Sequence, residues 1–275
     1  MKHLPHSSTS KKSLHPWIET TKFEEMDSKL LLREILAKVK EKVNARIRHG
    51  GKPVKVVFDL DSTIFDVKPR SLRILKEFAA TKEARAISSA LCEWTKDLRA
   101  HRLVYTLEES ALANNMPKDP RADEFMKEAF RFWRKRFFSD AYLLEDHPTA
   151  GAVDYAHAIV DAGAVAVYLT GRDWPGMGRG TQTMLRHWGF PIDHGAGELL
   201  MKPNAGIDDS EYKDSALRDL RIHSEAVAFF DNEPANFVVF EKNFPDAHLV
   251  FFYSNCSTKE ASSVKKIYRI ENFLM

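Results

Sequence analysis

The sequence predicts an α/β fold in which a Rossmann-like parallel sheet carries helices on both faces and a helical insertion follows the first strand. Short apolar runs alternate with helical patterns along most of the chain, and such alternation is typical of parallel sheets. The runs are almost continuously apolar, as expected for strands that are covered on both faces. The alternation stops between residues 66 and 145, where only helical patterns occur.

The N-terminal part contains a polar segment followed by an amphipathic helix. Residues 1–22 are rich in Ser, Thr, Lys and His and have no continuous apolar run, so residues 1–25 are expected to be disordered. A helix is predicted over residues 28–48, because apolar side chains recur there every three or four residues, at Leu32, Leu36, Val39, Val43 and Ile47. Gly50 and Gly51 can end this helix.

The first strand is predicted at residues 54–60, a β-branched and aromatic run between two glycines and a polar turn. Four later strands, each preceded by a helix, are predicted at 164–169, 198–201, 226–230 and 249–253, with the helices at 150–162, 181–187, 210–220 and 234–241. Helices inside the insertion are predicted at 72–78, 87–99, 107–113 and 121–138. The expected organisation is an α/β core of residues 26–66 and 146–275, interrupted by a helical cap of residues 67–145.

Composition gives no support to several classes of protein. The 275 residues include 41 basic and 39 acidic side chains, a net charge of +2, which gives no overall argument for a nucleic-acid or membrane partner. No stretch approaches the roughly 18 apolar residues needed to span a bilayer. Cys92 and Cys256 are the only cysteines, too few for a disulfide framework, and this favours a reduced, cytoplasmic protein.

Two aspartates follow the first strand one residue apart. Asp59 and Asp61 lie where that strand ends, with Thr63 two residues further on. The carboxyl ends of strands are where open α/β sheets bind ligands, so one carboxylate could attack phosphorus while the other moves a proton. Taken alone, the pair could also cap a turn through side-chain hydrogen bonds.

Polar residues mark three more places at or just after later strands. Thr170 and Gly171 could hold a phosphate oxygen with a hydroxyl and a backbone amide. Lys213 could offset the charge of a carboxylate or phosphate, and Lys202 competes with it for this role. The last place is the acidic run Asp231-Asn232-Glu233. With Asp59 and the carbonyl of Asp61, Asp231 could form an oxygen-only site, which suits Mg²⁺.

These signals occur in the order FDLDST, YLTGR, LMKP, K and FFDN, and this joint pattern resembles the motifs of the haloacid dehalogenase-like (HAD) superfamily, in its phosphatase branch. The resemblance covers roughly residues 54 to 253. It implies that Asp59 is the nucleophile and Asp61 the acid and base, with a raised pKa expected for Asp61. It implies phosphate binding by Thr170 and Lys213, and metal binding by Asp231. Asn232 departs from the commoner second aspartate, and Glu233 or Asn236 could substitute for it.

The resemblance thus implies a Mg²⁺-dependent phosphomonoester hydrolase that forms an aspartyl-phosphate. The insertion resembles a helical cap of the first type, which favours a small phosphorylated substrate. Two alternatives stay open: a phosphatase that acts on nucleic-acid terminal phosphates, and a catalytically silent phosphate-binding protein of the same fold.

Two features near the expected site have a structural interpretation from sequence. Met126, Phe130, Trp133 and Phe137 lie at helical spacing and are interpreted as core of the insertion, with the neighbouring cations on the wet face. The glycines at 176, 178 and 180 are interpreted as a flexible loop, because they lack the Gly-Lys-Ser/Thr pattern of a nucleotide-binding loop.

Overall fold

The computed structural model describes residues 16–275, and the expectation for residues 1–15 lies outside this range. The helices are α1 (Pro16–Thr20), α2 (Ser28–His49), α3 (Lys68–Ala80), α4 (Lys82–Ile87), α5 (Ser89–Asp97), α6 (Leu107–Ala113), α7 (Ala122–Phe137), α8 (Ala152–Asp161), α9 (Trp174–His187), α10 (Asp209–His223) and α11 (Pro234–Asn243). The strands are β1 (Val54–Phe58), β2 (Phe65–Asp66), β3 (His147–Pro148), β4 (Val165–Asp173), β5 (Gly197–Lys202), β6 (Glu225–Asp231), β7 (His248–Phe252) and β8 (Tyr268–Ile270). Short 3₁₀ helices span Ala100–Arg102 and Asp140–Glu145.

Six strands form one parallel sheet in the order β5-β4-β1-β6-β7-β8, which confirms the predicted fold class. β1 lies between β4 and β6, and its last residue, Phe58, pairs with Tyr168 and with Phe230. The carboxyl ends of these three strands therefore meet at the middle of one sheet edge, where the strand order reverses around β1.

Both faces of the sheet are covered by apolar helix surfaces. One face packs against α2, α8 and α9, with Ile35, Tyr155 and Met184 fully buried. The other face packs against α10 and α11 through side chains such as Leu217 and Phe237. These two layers explain why the strands are apolar on both sides.

The segment before α2 is folded onto the core from residue 16 onward, so the expectation of disorder over residues 1–25 is corrected for this part. Trp17 in α1 is buried and stacks on Phe237 with ring centroids 6.0 Å apart. Its indole Nε1 donates to the carbonyl of Ser262. A single tryptophan with a partner for its indole NH can anchor a polar segment, which a composition argument does not detect.

Helices α3 to α7 surround an apolar cluster of their own, which includes Leu75, Phe78, Leu91 and Phe125. The segment leaves and returns to the core through the antiparallel pair β2–β3, where Phe65 faces Pro148. The predicted helix at 87–99 is divided at Ser88, whose extended backbone and hydroxyl cap the start of α5.

Helix α9 corrects the interpretation of the glycine-rich stretch as a flexible loop. The helix begins at Trp174 because the Asp173 carboxylate caps it by accepting from the amide of Gly176. Gly180 lies against the 3₁₀ segment of Asp140, where an added Cβ would come within 2.9 Å of the Asp140 backbone. These glycines permit close packing.

Strand β8 was not predicted. None of the helices in residues 16–275 has the length and apolar character that crossing a bilayer requires.

Candidate active site

Three of the residues singled out from sequence meet at the carboxyl ends of β1 and β6. The ammonium of Lys213, from the first turns of α10, lies 2.8 Å from Asp59 Oδ1 and 2.7 Å from Asp231 Oδ2. All three side chains are at least nine-tenths buried. One cation is thus shared by two buried carboxyl groups at the base of the site.

The two candidate lysines have different partners. Lys202, at the end of β5, donates to Asp209 Oδ1 at 2.6 Å and to the carbonyl of Ile207 at 3.0 Å. Of the two lysines, only Lys213 contacts Asp59 and Asp231. The role of a lysine beside the phosphate is therefore proposed for Lys213, whereas Lys202 fixes the loop that leads into α10.

Asp231 has hydrogen-bond donors on both carboxylate oxygens. The amide of Glu233 donates to Oδ1 at 2.7 Å, and the Asn236 side-chain amide lies 3.0 and 2.9 Å from the two oxygens. With Lys213, these contacts occupy the roughly four acceptor positions of a carboxylate. A metal ion that bound Asp231 directly would have to displace one of them.

Asn232 presents its side-chain oxygen to the same site. Its amide nitrogen donates to the carbonyl of Asn255 at 2.5 Å, which orients Oδ1 toward the Thr63 hydroxyl, 3.2 Å away. The same hydroxyl lies 3.3 Å from Asp59 Oδ2. Glu233 is held elsewhere, because it accepts from the amide and the hydroxyl of Ser257. Asn232 therefore lies closer to Asp59 in the hydrogen-bond network than Glu233 does.

Burial dominates the electrostatics of Asp59. It raises the pKa of this carboxyl to about 8, and the nearby charge of Asp231 acts in the same direction while Lys213 opposes it. Burial also disfavours the charged ammonium of Lys213, but the two carboxylates outweigh it and raise the pKa of Lys213 above its usual value. A further cation beside Asp59 would lower the pKa of its carboxyl.

Asp61 is held by two arginines. Arg172 donates through Nε and Nη2 to the two carboxylate oxygens, both at 2.8 Å, and Arg70 Nη2 lies 2.5 Å from Oδ1. Burial opposes ionisation, but the charges of Arg172 and Arg70 outweigh it and hold the pKa of Asp61 well below its usual range. The expectation that its surroundings raise this pKa is wrong for this arrangement.

A second buried carboxylate completes this cluster. Asp146 Oδ2 lies 2.9 Å from Arg172 Nη2, and its Oδ1 lies 3.0 Å from Arg70 Nε. Burial raises the pKa of Asp146 to about 6 although both arginines oppose the shift. Sequence reasoning did not select Arg172, Arg70 or Asp146. Arg172 directly follows Thr170-Gly171 and could have been selected from that motif, whereas Arg70 and Asp146 belong to no motif.

The turn that directly follows the two aspartates is tightly constrained. Ser62 adopts a left-handed conformation with φ of 61°, which is uncommon for a residue other than glycine. Its carbonyl accepts from the Ser254 hydroxyl at 2.5 Å, and its amide donates to the carbonyl of Phe65. This turn fixes where the Asp61 carboxylate lies relative to Asp59.

Thr170 and Gly171 line the same space as Asp59 and Asp61. The Thr170 hydroxyl is buried and accepts from the amide of Arg172 at 3.2 Å. A Cβ at Gly171 would lie 2.6 Å from Asp209 Oδ2, so a larger residue there would displace that carboxylate. The structure thus brings this strand end to the site.

A cavity of about 400 Å³ joins the carboxylates to the helices above them. Asp59 and Asp61 lie on its sheet side, and Phe130, Trp133 and Phe137 of α7 lie on its helical side. Phe130 is 41% exposed, so its interpretation as core is corrected. Residues of α7 that are fully buried are Phe125 and Ala129.

Oxygen donors dominate the possible metal ligands. Within residues 16–275, no group of three or more His, Cys, Asp or Glu side chains is arranged to hold a metal ion. Mg²⁺ needs only one or two carboxylates, because it keeps several waters and binds substrate phosphate. The Asp59 carboxylate, the Asn232 side-chain oxygen and the Asp61 carbonyl are chemically suited to this ion.

No protein-family model and no curated protein matches the chain. Similar solved structures include a haloacid dehalogenase-like hydrolase from Streptococcus pneumoniae (12% identity, 73% of this chain and 84% of that chain, TM-score 0.43). They also include the protein tyrosine kinase PtkA from Mycobacterium tuberculosis (17%, 81% and 96%, TM-score 0.49). A third is the HAD-hydrolase YfnB from Bacillus subtilis bound to magnesium (13%, 81% and 96%, TM-score 0.42).

Proposed function

We propose that this chain is a Mg²⁺-dependent phosphomonoesterase that acts through a phosphorylated Asp59. The observation that carries the proposal is the Lys213 ammonium between Asp59 and Asp231, at the base of a cavity that also contains Asp61. Two carboxylates alone would repel a phosphate. A fixed cation between them reduces this repulsion, so that the buried Asp59 carboxylate can approach phosphorus. The two free cysteines are consistent with a cytoplasmic protein.

In the first step, the Asp59 carboxylate attacks phosphorus and the ester oxygen leaves. Lys213 offsets charge on the attacking and transferred groups, and Thr170 and Gly171 hold phosphate oxygens with a hydroxyl and an amide. In the second step, water attacks the phosphorus of the phosphorylated Asp59 and releases inorganic phosphate. Dividing the hydrolysis in this way replaces one difficult step with two easier ones.

Asp61 moves the protons of both steps. Held by Arg172 and Arg70, it is ionised at neutral pH and is ready to accept a proton from the attacking water. Protonating the leaving oxygen in the first step requires a proton on Asp61, which a monoanionic substrate phosphate can supply, and it requires weaker arginine contacts. A substrate phosphate that competes for Arg172 provides this weakening, because the guanidinium then divides its charge between two anions.

Bound Mg²⁺ would supply positive charge that neutralises the transferred phosphate and lowers the pKa of Asp59. We propose Asp59, the Asp61 carbonyl and Asn232 as its protein ligands. Asp231 positions Lys213 and becomes a direct ligand only if it gives up one of its present donors. Asn232 then takes the place that the family resemblance gives to a second aspartate.

The test is hydrolysis of p-nitrophenyl phosphate by the purified chain with Mg²⁺, with EDTA, and with EDTA followed by excess Mg²⁺. We expect turnover that EDTA abolishes and Mg²⁺ restores. The variant Asp59→Asn should be inactive, and Asp193→Asn, an exposed aspartate on the core, should match the wild type. Metal-independent turnover, or full activity of Asp59→Asn, would refute the proposal.

The cationic residues of α7 do not support the nucleic-acid alternative. Arg131, Arg134 and Lys135 are exposed and lie outside the residues that line the cavity. A phosphatase for nucleic-acid ends needs cations that lead the strand toward the reacting phosphate. Oligonucleotides with 5′ or 3′ phosphates should therefore be poorer substrates than small phosphomonoesters, measured as released phosphate.

A further inference from the structure

We propose that the substrate is a phosphomonoester whose leaving group carries a planar aromatic ring, which binds against an aromatic wall on the helical side of the cavity. The aromatic wall consists of Phe130, Trp133, Phe137 and Phe138. This inference rests on the proposed function, because it assigns the leaving-group part of the same site.

The aromatic wall is an ordered stack of planar groups. The guanidinium of Arg70 lies 3.8 Å from the centroid of Phe137, whose ring lies 4.4 Å from Trp133 at an interplanar angle of 29°. Trp133 in turn stacks on Phe130 at 6.0 Å and 27°. Offset stacking at these spacings is the favoured geometry of aromatic pairs. The stack begins at a residue that contacts Asp61 and ends at a ring with free surface.

Three aromatic side chains around this cavity remain strongly exposed. Phe130 is 41% exposed, Tyr105 is 48% and Phe138 is 52%, and all three line the cavity that contains Asp59 and Asp61. Leaving large apolar side chains in water is unfavourable in free energy. A ligand that covers them recovers this free energy. Since they share a cavity with the reacting carboxylates, the ligand that covers them is the substrate.

The rings are held in place before any ligand binds. Trp133 Nε1 donates to the Ser71 hydroxyl at 3.1 Å, and Phe138 packs edge-on against Phe137 with centroids 5.1 Å apart. A wall that is already ordered loses little conformational entropy on binding. Its flat faces match a planar ring better than a sugar, whose hydroxyls would need hydrogen-bond partners that aromatic faces lack.

The size of the cavity fits this occupant. About 400 Å³ lies within the range of pockets that hold small organic ligands, and it leaves room for a ring beside a phosphate. The ring could belong to an aryl-substituted alcohol or to the base of a nucleotide. Both share the stacking chemistry, so the substrates of the test have to separate them.

The test compares phosphomonoesters whose leaving groups carry different rings or no ring. In all of them the phosphate is esterified to an alkyl carbon. We measure kcat/KM for 2-phenylethyl phosphate, 2-cyclohexylethyl phosphate and ethyl phosphate, and for adenosine 5′-monophosphate against ribose 5-phosphate. We expect the phenylethyl ester to exceed the ethyl ester by about tenfold or more, and the cyclohexyl ester by a smaller factor. The nucleotide pair shows whether a base is accepted as the ring.

Variants then test whether the aromatic wall causes the preference for the phenylethyl ester. Phe130→Leu combined with Phe138→Leu should lower the phenylethyl-to-ethyl ratio of kcat/KM by about tenfold. Phe132→Leu makes the same change on α7, at a ring that packs on Phe78 outside the cavity, and should leave the ratio unchanged. Because Phe130 and Phe138 are exposed, the double variant is expected to fold, which its circular dichroism spectrum would show.

Binding is measured separately from turnover. Titration calorimetry with phenylphosphonate and methylphosphonate, neither of which is hydrolysed, should give tighter binding of the phenyl compound to the wild type but not to the double variant. Equal binding of the two phosphonates, or equal kcat/KM for the phenylethyl and ethyl esters, overturns the inference and leaves the phosphatase proposal intact. Failure to hydrolyse any ester refutes the phosphatase proposal, while the calorimetry still decides whether the aromatic wall binds a ring.

Discussion

Replacing Lys213 with methionine tests the centre of the proposed site most directly. Lys213 makes two charge-assisted contacts, at 2.8 and 2.7 Å, to carboxylates that are themselves buried. Methionine keeps the length of the side chain but leaves Asp59 and Asp231 without a counter-charge. Removing one partner of a buried ion pair typically costs about 3–5 kcal/mol in unfolding free energy. We expect a loss in this range at pH 8.

The loss should depend on pH in a defined direction. Lys213 opposes the rise in the pKa of Asp59, so without it the folded-state pKa of Asp59 lies still further above the usual value of about 4 for an aspartate. A carboxyl whose folded pKa is raised contributes stability below its unfolded pKa and loses it as the pH rises through the folded pKa. The variant should therefore be closer to the wild type at pH 5 than at pH 8.

Urea unfolding followed by tryptophan fluorescence measures both effects, and Lys202→Met is the matched control. Lys202 pairs with Asp209, whose side chain is 55% exposed and can be solvated, so this change should cost only about 1 kcal/mol. Activity toward p-nitrophenyl phosphate should fall by about 10²–10³ in Lys213→Met. Equal losses of unfolding free energy in the two lysine variants would refute the conclusion that Lys213 is the counter-charge of both Asp59 and Asp231. Wild-type stability and activity of Lys213→Met would refute it as well.

Three further predictions follow from the described geometry. The apparent affinity for Mg²⁺ should rise from pH 6 to pH 8, because the proton on Asp59, whose pKa is about 8, competes with the metal; Mg²⁺ titrations of activity measure this. Arg70→Ala removes one of the two cations beside Asp61 and should raise its pKa, moving the acidic limb of the kcat–pH profile upward. Gly180→Ala should cost about 1–3 kcal/mol by urea unfolding, because the new methyl group would meet the Asp140 backbone at 2.9 Å.

Matched changes show what would contradict these three predictions. Arg73→Ala, on the same helix but paired with surface glutamates, should leave the pH profile unchanged, so an equal shift in both variants would reject the role of Arg70. Gly206→Ala is the control for Gly180→Ala, because the nearest atom to a new Cβ is Asn204 Oδ1 at 3.3 Å. A Mg²⁺ affinity that does not change between pH 6 and pH 8 would show that Asp59 is already ionised without metal.

The parts of the site that the sequence could predict are those defined by strand ends. Asp59, Thr170 and Asp231 each follow or end an apolar run, and parallel strands bring such positions to one edge regardless of what lies between them. The choice between Lys213 and Lys202 needed the structure, because both follow β4 and only the direction of α10 decides which one points to Asp59.

The parts that the sequence could not predict depend on contacts between distant elements. Arg70 and Asp146 lie near opposite ends of the helical insertion, and the pairing of β2 with β3 brings these ends together. Phe130 has the spacing of a core residue, but whether that stripe faces protein or a cavity depends on how α7 packs. The prediction of a raised pKa for Asp61 was wrong for the same reason, because the pKa of Asp61 depends on two arginines that only the tertiary structure brings near it.

The two arginines on Asp61 come from different parts of the molecule, so the pKa of Asp61 depends on how these parts are placed relative to each other. Arg172 belongs to the sheet, whereas Arg70 belongs to α3. Any outward swing of the helices withdraws one positive charge from Asp61 while the other stays. The pKa of Asp61 would then rise on opening, so in weakly buffered acidic solution a pH indicator would report proton uptake on opening without a label on the protein.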